Sequence, residues 1–243
     1  MSGPPAGRGG ERLRAAGRAA PGLRLYGVVS LAAPGALALD GAASSRRDRL
    51  HTPPLGTPVA EVVRVRDLGA VVAPARFAAE PLTGDLVAGY RAVVEAVFAE
   101  RSLLPAPPGA TFRTRAALTA WMELHAGALA EGLRFVEDRA EARVTAAGAA
   151  GGGLEAFAAL RQAAAALLVL RGAGDGASDG GAAGAEGPEA GGGEAHAALL
   201  VDRNAWGAFE EAVAREARRR PGLRLACDGP WPPYSFVRLD FSA

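Results

Sequence analysis

Few residues in this chain could do chemistry: three histidines, one cysteine, two close carboxylate pairs and scattered serines. A metal centre or an acid–base pair needs such groups at spacings that one helix face or turn brings together. His51 lies in a proline-rich loop and His196 opens a strand. His125 falls on the apolar stripe of a helix with Leu129 at i+4, where a second ligand would stand, so it reads as a packed core histidine. Glu137/Asp138 and Glu210/Glu211 lie beside arginines and read as exposed, solubilising pairs. Ser44, Ser45 and Ser235 have no base at a local spacing, and no nucleophile elbow, His-Glu-x-x-His or Walker sequence occurs. The Gly-x-Gly at Gly172 and Gly174 lacks the Lys-Ser/Thr pair and preceding strand of a phosphate loop. Cys227 alone excludes an internal disulfide and any cysteine-based zinc site, and alternation places its thiol inward. These readings predict no catalytic, cofactor-binding or metal residue, and leave open only an enzyme whose few polar residues converge in three dimensions.

Two other groups suit binding. Gly229-Pro230-Trp231-Pro232-Pro233-Tyr234-Ser235-Phe236 holds three prolines, which fix φ and remove backbone donors. The run reads as an extended, polyproline-II-like arm, neither helix nor central strand. Its three-residue repeat would put Trp231 and Tyr234 on one side, docked against the adjoining C-terminal domain or, as the alternative, free to bind a partner. Arg215, Arg218, Arg219, Arg220 and Arg224 form the strongest basic cluster. It reads either as a charged helix end complementing the macrodipole or as a docking patch for an acidic partner.

Composition sets the frame. The 243 residues suffice for one large domain or two small ones. All 27 basic residues are arginine, and the net charge of +1 gives no general attraction to nucleic acid or acidic lipid. No apolar stretch is long enough to span a bilayer, and the first twenty residues lack the apolar core of a secretory signal. A lone cysteine suits a reducing cytoplasm.

Residues 1–22 read as a disordered basic tail. Leu23–Leu31 is a near-continuous apolar run, hence a buried strand. Val59–Val65 and Leu68–Ala73 form a hairpin across a two-residue polar junction. From Thr83 to Glu100 the residues Leu86, Val87, Tyr90, Val93, Val94, Val97 and Phe98 trace one helical stripe. Ser102–Pro108 reads as a proline-limited edge segment. Thr114 caps a helix to about Leu133, and Val136–Thr145 is a strand. Leu154–Leu170 reads as an alanine-rich helix, and residues 172–193 as a flexible, dispensable insertion with no apolar residue larger than alanine. Ala195–Val201 is a buried strand, Asn204 the N-cap of an amphipathic helix over Trp206–Arg219, and Leu223–Cys227 a half-buried last strand. The order predicts an α+β protein of two small domains, 23–133 and 134–243, with the arm at 229–236.

Gly-Pro-Trp-Pro-Pro-Tyr-Ser-Phe, preceded by Ala197-Ala-Leu-Leu-Val-Asp202 and Pro221-Gly-Leu-Arg-Leu225, resembles the C-terminal signature of gas vesicle accessory proteins of the L and F type. Leu25-Tyr-Gly-Val-Val29 resembles the start of their fold, and the likeness covers roughly residues 23 to 243. It implies a ferredoxin-like N-terminal domain and a smaller α+β C-terminal domain closed by the tail. It further implies a non-enzymatic assembly factor (chaperone, nucleator or minor wall component), cytoplasmic and vesicle-associated, whose partners are the small apolar shell protein and other accessory proteins. In one segment the chain departs from that family. Leu104-Pro-Ala-Pro-Pro-Gly-Ala-Thr-Phe112 stands where relatives carry Leu-Pro-Leu-Arg-Phe-Gly-Thr, and the arginine is lost. The alternative from another class is a cytoplasmic ligand-sensing module built on ferredoxin-like domains.

Overall fold

In the computed structural model of the chain, the residues described are 20–32, 60–78, 81–148, 151–170 and 194–241. The expected tail up to residue 19, His51, Ser44, Ser45 and the insertion at 172–193 lie outside them.

The first sheet contains β1 (Ala20–Ser30), β2 (Glu61–Val65), β3 (Leu68–Phe77), β4 (Leu103–Pro105) and the short β5 (Thr111–Phe112). Its order is β2-β3-β1-β4, all antiparallel, with β5 also on β1. β1 begins at Ala20, so three residues assigned to the tail are strand. β2 and β3 meet across Arg66–Asp67, where Arg66 takes a left-handed φ of 53°. β1 is apolar on both sides because both faces are covered. A register shift between Leu25 and Gly27 turns Leu25 and Val28 to one face and Tyr26 and Val29 to the other.

The Tyr26 face packs on α1 (Gly84–Glu100), through Tyr90, Val93, Val94, Val97 and Phe98. The Thr83 hydroxyl caps this helix by accepting the Leu86 N–H. The opposite face packs on α2 (Arg115–Leu124) and α3 (Ala126–Val136), with Leu118, Met122, Leu129 and Leu133 buried. Thr114 caps α2, as its side chain predicts. The single helix expected here is broken at His125, which is half-buried at the joint with its ring 5.2 Å from Trp121, rather than in the core.

The second sheet contains β6 (Arg139–Gly148), β7 (Ala166–Leu170), β8 (Glu194–Asp202) and β9 (Leu223–Trp231), in the antiparallel order β7-β8-β6-β9. α4 (Gly152–Leu160) and α5 (Trp206–Arg219) cover one face through Phe157, Leu160, Phe209 and Val213. The helix expected over Leu154–Leu170 ends at Leu160, and after a 3-10 turn the chain becomes β7. Leu167-Leu168-Val169-Leu170 is an apolar run of ambiguous period, and pairing with β8 decides its state. The expected Asn204 cap is also displaced. Asp202 accepts from Asn204 N–H at 2.8 Å to open a 3-10 turn, and α5 starts at Trp206 with no side-chain cap.

The second unit is therefore β-α-β-β-α-β with the strand order of a split βαβ. The first unit has the same strand order and the same second crossover helix. The protein is α+β, with two units whose sheets share one strand order and in which α1 and α5 hold equivalent places.

A C-terminal strap across the domain seam

The proline-rich run does not form a free polyproline-II arm. Its first three residues belong to β9, which pairs with β6 down to Trp231 opposite Glu141. Pairing slips between Glu141 and Arg143, and the extra residue is taken up around Gly229-Pro230, a cis peptide. Prolines are tolerated because β9 is an edge strand. Gly229 has a φ of 140°, and a Cβ there would lie 2.7 Å from the Trp206 ring and 2.9 Å from the Glu141 carbonyl oxygen. Only glycine fits at that position.

Beyond β9 the chain leaves its own domain, so docking is internal but reaches the first domain as well. The Arg91 guanidinium of α1 lies 5.1 Å from the Trp231 ring centroid. Tyr234 packs on Tyr90 of α1 at 6.5 Å, and Tyr90 stacks on Tyr26 at 6.0 Å. Both aromatics meet α1 of the N-terminal domain, which corrects the expected docking on the C-terminal domain. Pro232 and Pro233 are buried, while Trp231, Tyr234 and Phe236 are half-buried. The chain then follows α2 and α3: Val237 and Leu239 join the first core, Trp121 Nε1–H donates to the Asp240 carbonyl at 2.8 Å, and Phe241 stacks on Trp121 at 5.2 Å. Residues 229–241 act as a strap from the second sheet to the far helices of the first domain.

A buried carboxylate latches the strap, and sequence reasoning missed it. Glu141 is fully buried and accepts from Ser235 N–H at 2.6 Å, Ser235 Oγ–H at 2.9 Å and Arg143 Nε–H at 3.0 Å. Three donors, one of them charged, allow an ionised group to sit without water. Glu141 is one of several charged residues that alternate with smaller ones along β6. Ser235, which has no base at a local spacing, is a latch residue. No local signal in the sequence announces a contact between residues 94 apart.

The environment keeps the phenols and the thiol neutral. Burial, then Glu95, pushes Tyr234 up to about 12, and burial also raises Tyr90 and Tyr26. Cys227, half-buried as alternation predicts, is raised to about 11 by burial and by Glu210 and Asp228. The Tyr234 hydroxyl and Trp231 Nε1 are buried with no hydrogen-bond partner among the described residues. Beside them a cleft of about 350 Å³ opens between the domains, lined by Glu95, Phe98, Arg203, Trp206, Trp231 and the strap prolines. Arg203 closes one side, its guanidinium 3.7 Å from the Phe98 ring centroid and its Nη2 donating to the Phe98 carbonyl at 2.8 Å.

The arginine cluster is only partly free. Arg220 is held at 2.6 Å by both Glu216 and Glu155, tying α5 to α4, while Arg215 and Arg219 lie 3.9 Å from Glu211 and Glu216. Arg218 and Arg224 are exposed. His196 shares a 3.2 Å contact with Thr145 on the second sheet, and Glu137, Asp138, Glu210 and Glu211 are exposed. No group of three or more metal-ligating side chains occurs among the described residues.

A tandem of two like-ordered α+β units, latched by a C-terminal strap, defines the structural class. The sequence model of the family described as gas vesicle synthesis protein GvpL/GvpF matches residues 22–187 and 158–238, so this chain belongs to that family. No curated sequence matches it. The crystal structure of the gas vesicle protein GvpF from Anabaena sp. PCC7120 is similar, at 13% identity and a TM-score of 0.66 over 92% of this chain and 99% of that one. GvpF from Microcystis aeruginosa is similar at 13% identity and 0.64, over 90% and 99%. At that identity the likeness establishes the fold, and the family match establishes a role in gas vesicle assembly. No helix among the described residues is long and apolar enough to cross a membrane.

Proposed function

We propose that the protein is a non-enzymatic accessory factor that engages the small apolar shell protein during gas vesicle assembly, together with other accessory proteins, in the cytoplasm and at the vesicle. The family match over nearly the whole chain carries this reading. A subunit that is apolar and forms strands exposes edges that aggregate before assembly, and a partner that covers them solves that problem. In this reading the strap residues Gly229, Pro230, Trp231, Pro232, Pro233, Tyr234 and Phe236 are structural, holding the two domains in one arrangement. Arg218 and Arg224, with Arg215 and Arg219 at the rim, are the part of the basic cluster available to an acidic partner. Capture of co-expressed shell protein on the tagged chain tests the proposal. Capture no greater than on an unrelated apolar-binding control would refute it.

A second reading has one observation behind it. The interdomain cleft, with its aromatic walls and one residue of each charge, suits a small ligand in a two-domain sensing module. A thermal-shift screen separates the two: a specific stabiliser with no shell-protein capture favours the sensor.

A further inference from the structure

Among the described residues the two sheets present four edges, and three are protected in recognisable ways. β2 carries Glu61 and Arg64, and Arg115 of α2 reaches over to bind Glu61 at 2.6 Å. β4 is three residues long, fully buried and ends in Pro105. β9 carries Arg224, Asp228 and Pro230 and is interrupted by its bulge. These are the devices by which sheets avoid adding foreign strands.

β7 has none of them. It reads Ala-Leu-Leu-Val-Leu, without charge or proline, and among the described residues it pairs on one side only, with β8. Leu168 is 41% exposed and Val169 53% exposed. Successive side chains point to opposite faces, so the edge is apolar on both faces of the sheet.

We propose that β7 is a strand-addition site, and that its occupant is an extended apolar segment of the shell protein. The proposal rests on the function proposed above and names the surface that serves it. Three features select this occupant. A neutral strand discriminates by apolar contact and backbone pairing, so a charged or helical partner gains little there. An added strand continues both faces, so it must be apolar on both, unlike an amphipathic surface strand. The edge spans five residues, about 17 Å, so a strip about 10 Å deep along it offers on the order of 170 Å², well below the roughly 800 Å² per partner that a stable dimer of folded domains buries. A single extended segment fits that length, and many copies in a growing polymer would compensate for a small individual contact.

The test uses the full chain with co-expressed shell protein. Hydrogen exchange is read at residues 166–170, and capture is compared among wild type, Leu168→Lys/Val169→Lys and Leu124→Lys, whose leucine is equally apolar and 72% exposed on α2. The expected result is slowed exchange at 166–170 in the complex, at least about tenfold weaker capture by the β7 variant, and unchanged capture by the α2 control. Wild-type capture without slowed exchange at β7, or undiminished capture by a folded β7 variant, overturns the site and leaves the proposed function standing. If that variant fails to fold, the wild-type exchange pattern decides alone. Slowed exchange in the isolated protein that grows with concentration assigns the edge to a second copy and overturns the proposal. No capture by wild type removes both.

Discussion

Replacing Glu141 by glutamine tests whether the strap is latched as described. The carboxylate accepts two bonds from Ser235 and one from Arg143, with no exposure to water. Hydrogen bonds to a charged group contribute about 1.5–3 kcal/mol each, and leaving a donor unpaired inside costs about 1–3 kcal/mol. The amide keeps one acceptor oxygen but turns an NH₂ toward a donor, so one or two of the three bonds fail. The expected loss is about 2–4 kcal/mol for Glu141→Gln and about 1–2 kcal/mol for Ser235→Ala, which keeps its backbone donor. Because the two residues share the contact, the double variant should lose less than the sum, by at least about 1 kcal/mol. Urea unfolding of the four proteins gives these terms. A strap that couples the domains predicts one transition for wild type and a split or broadened one for Glu141→Gln. A cost below about 0.5 kcal/mol, or strict additivity, would refute the latch.

Other outcomes can be checked on the same protein. Tyr26 and Tyr90 are buried, Tyr234 is half-buried and all three pKa values are raised, so phenolate absorbance at pH 10 should lie well below that of free tyrosine, which is half ionised there; a free-tyrosine signal in the folded protein would contradict the packing. Cys227 is raised from 9.0 to about 11, so its neutral form favours the fold below pH 9, and that contribution is lost as pH rises through about 11. Alkylation of the thiol at pH 8 should be correspondingly slow, and a free-thiol rate would count against its burial. Gly229→Ala should destabilise by about 1–3 kcal/mol, since both its φ and the Trp206 ring exclude a Cβ; a neutral melting curve would show that the bulge relaxes freely. Trp231→Ala should cost about 1–3 kcal/mol, less than full burial of a tryptophan would imply, because the ring is half-buried beneath Arg91.

Where contacts are local, residue pattern alone identified the structure. The α1 stripe, the hairpin across Arg66–Asp67, the Thr114 cap and the buried β8 all follow from spacing within a dozen residues. The octapeptide likewise pointed to its family, because three prolines and three aromatics in fixed order are rare. Tertiary structure decided what depended on partners distant in sequence. Leu167–Leu170 has no period that separates helix from strand, and became β7 only because β8 offers an unpaired edge. Glu141 resembles any surface charge until Ser235, 94 residues on, supplies its donors. The arm was legible as stiff and aromatic, but not as the tie between two domains. Its stiffness comes from each proline's own ring, whereas its destination depends on where α1 and Trp121 lie once both sheets have formed.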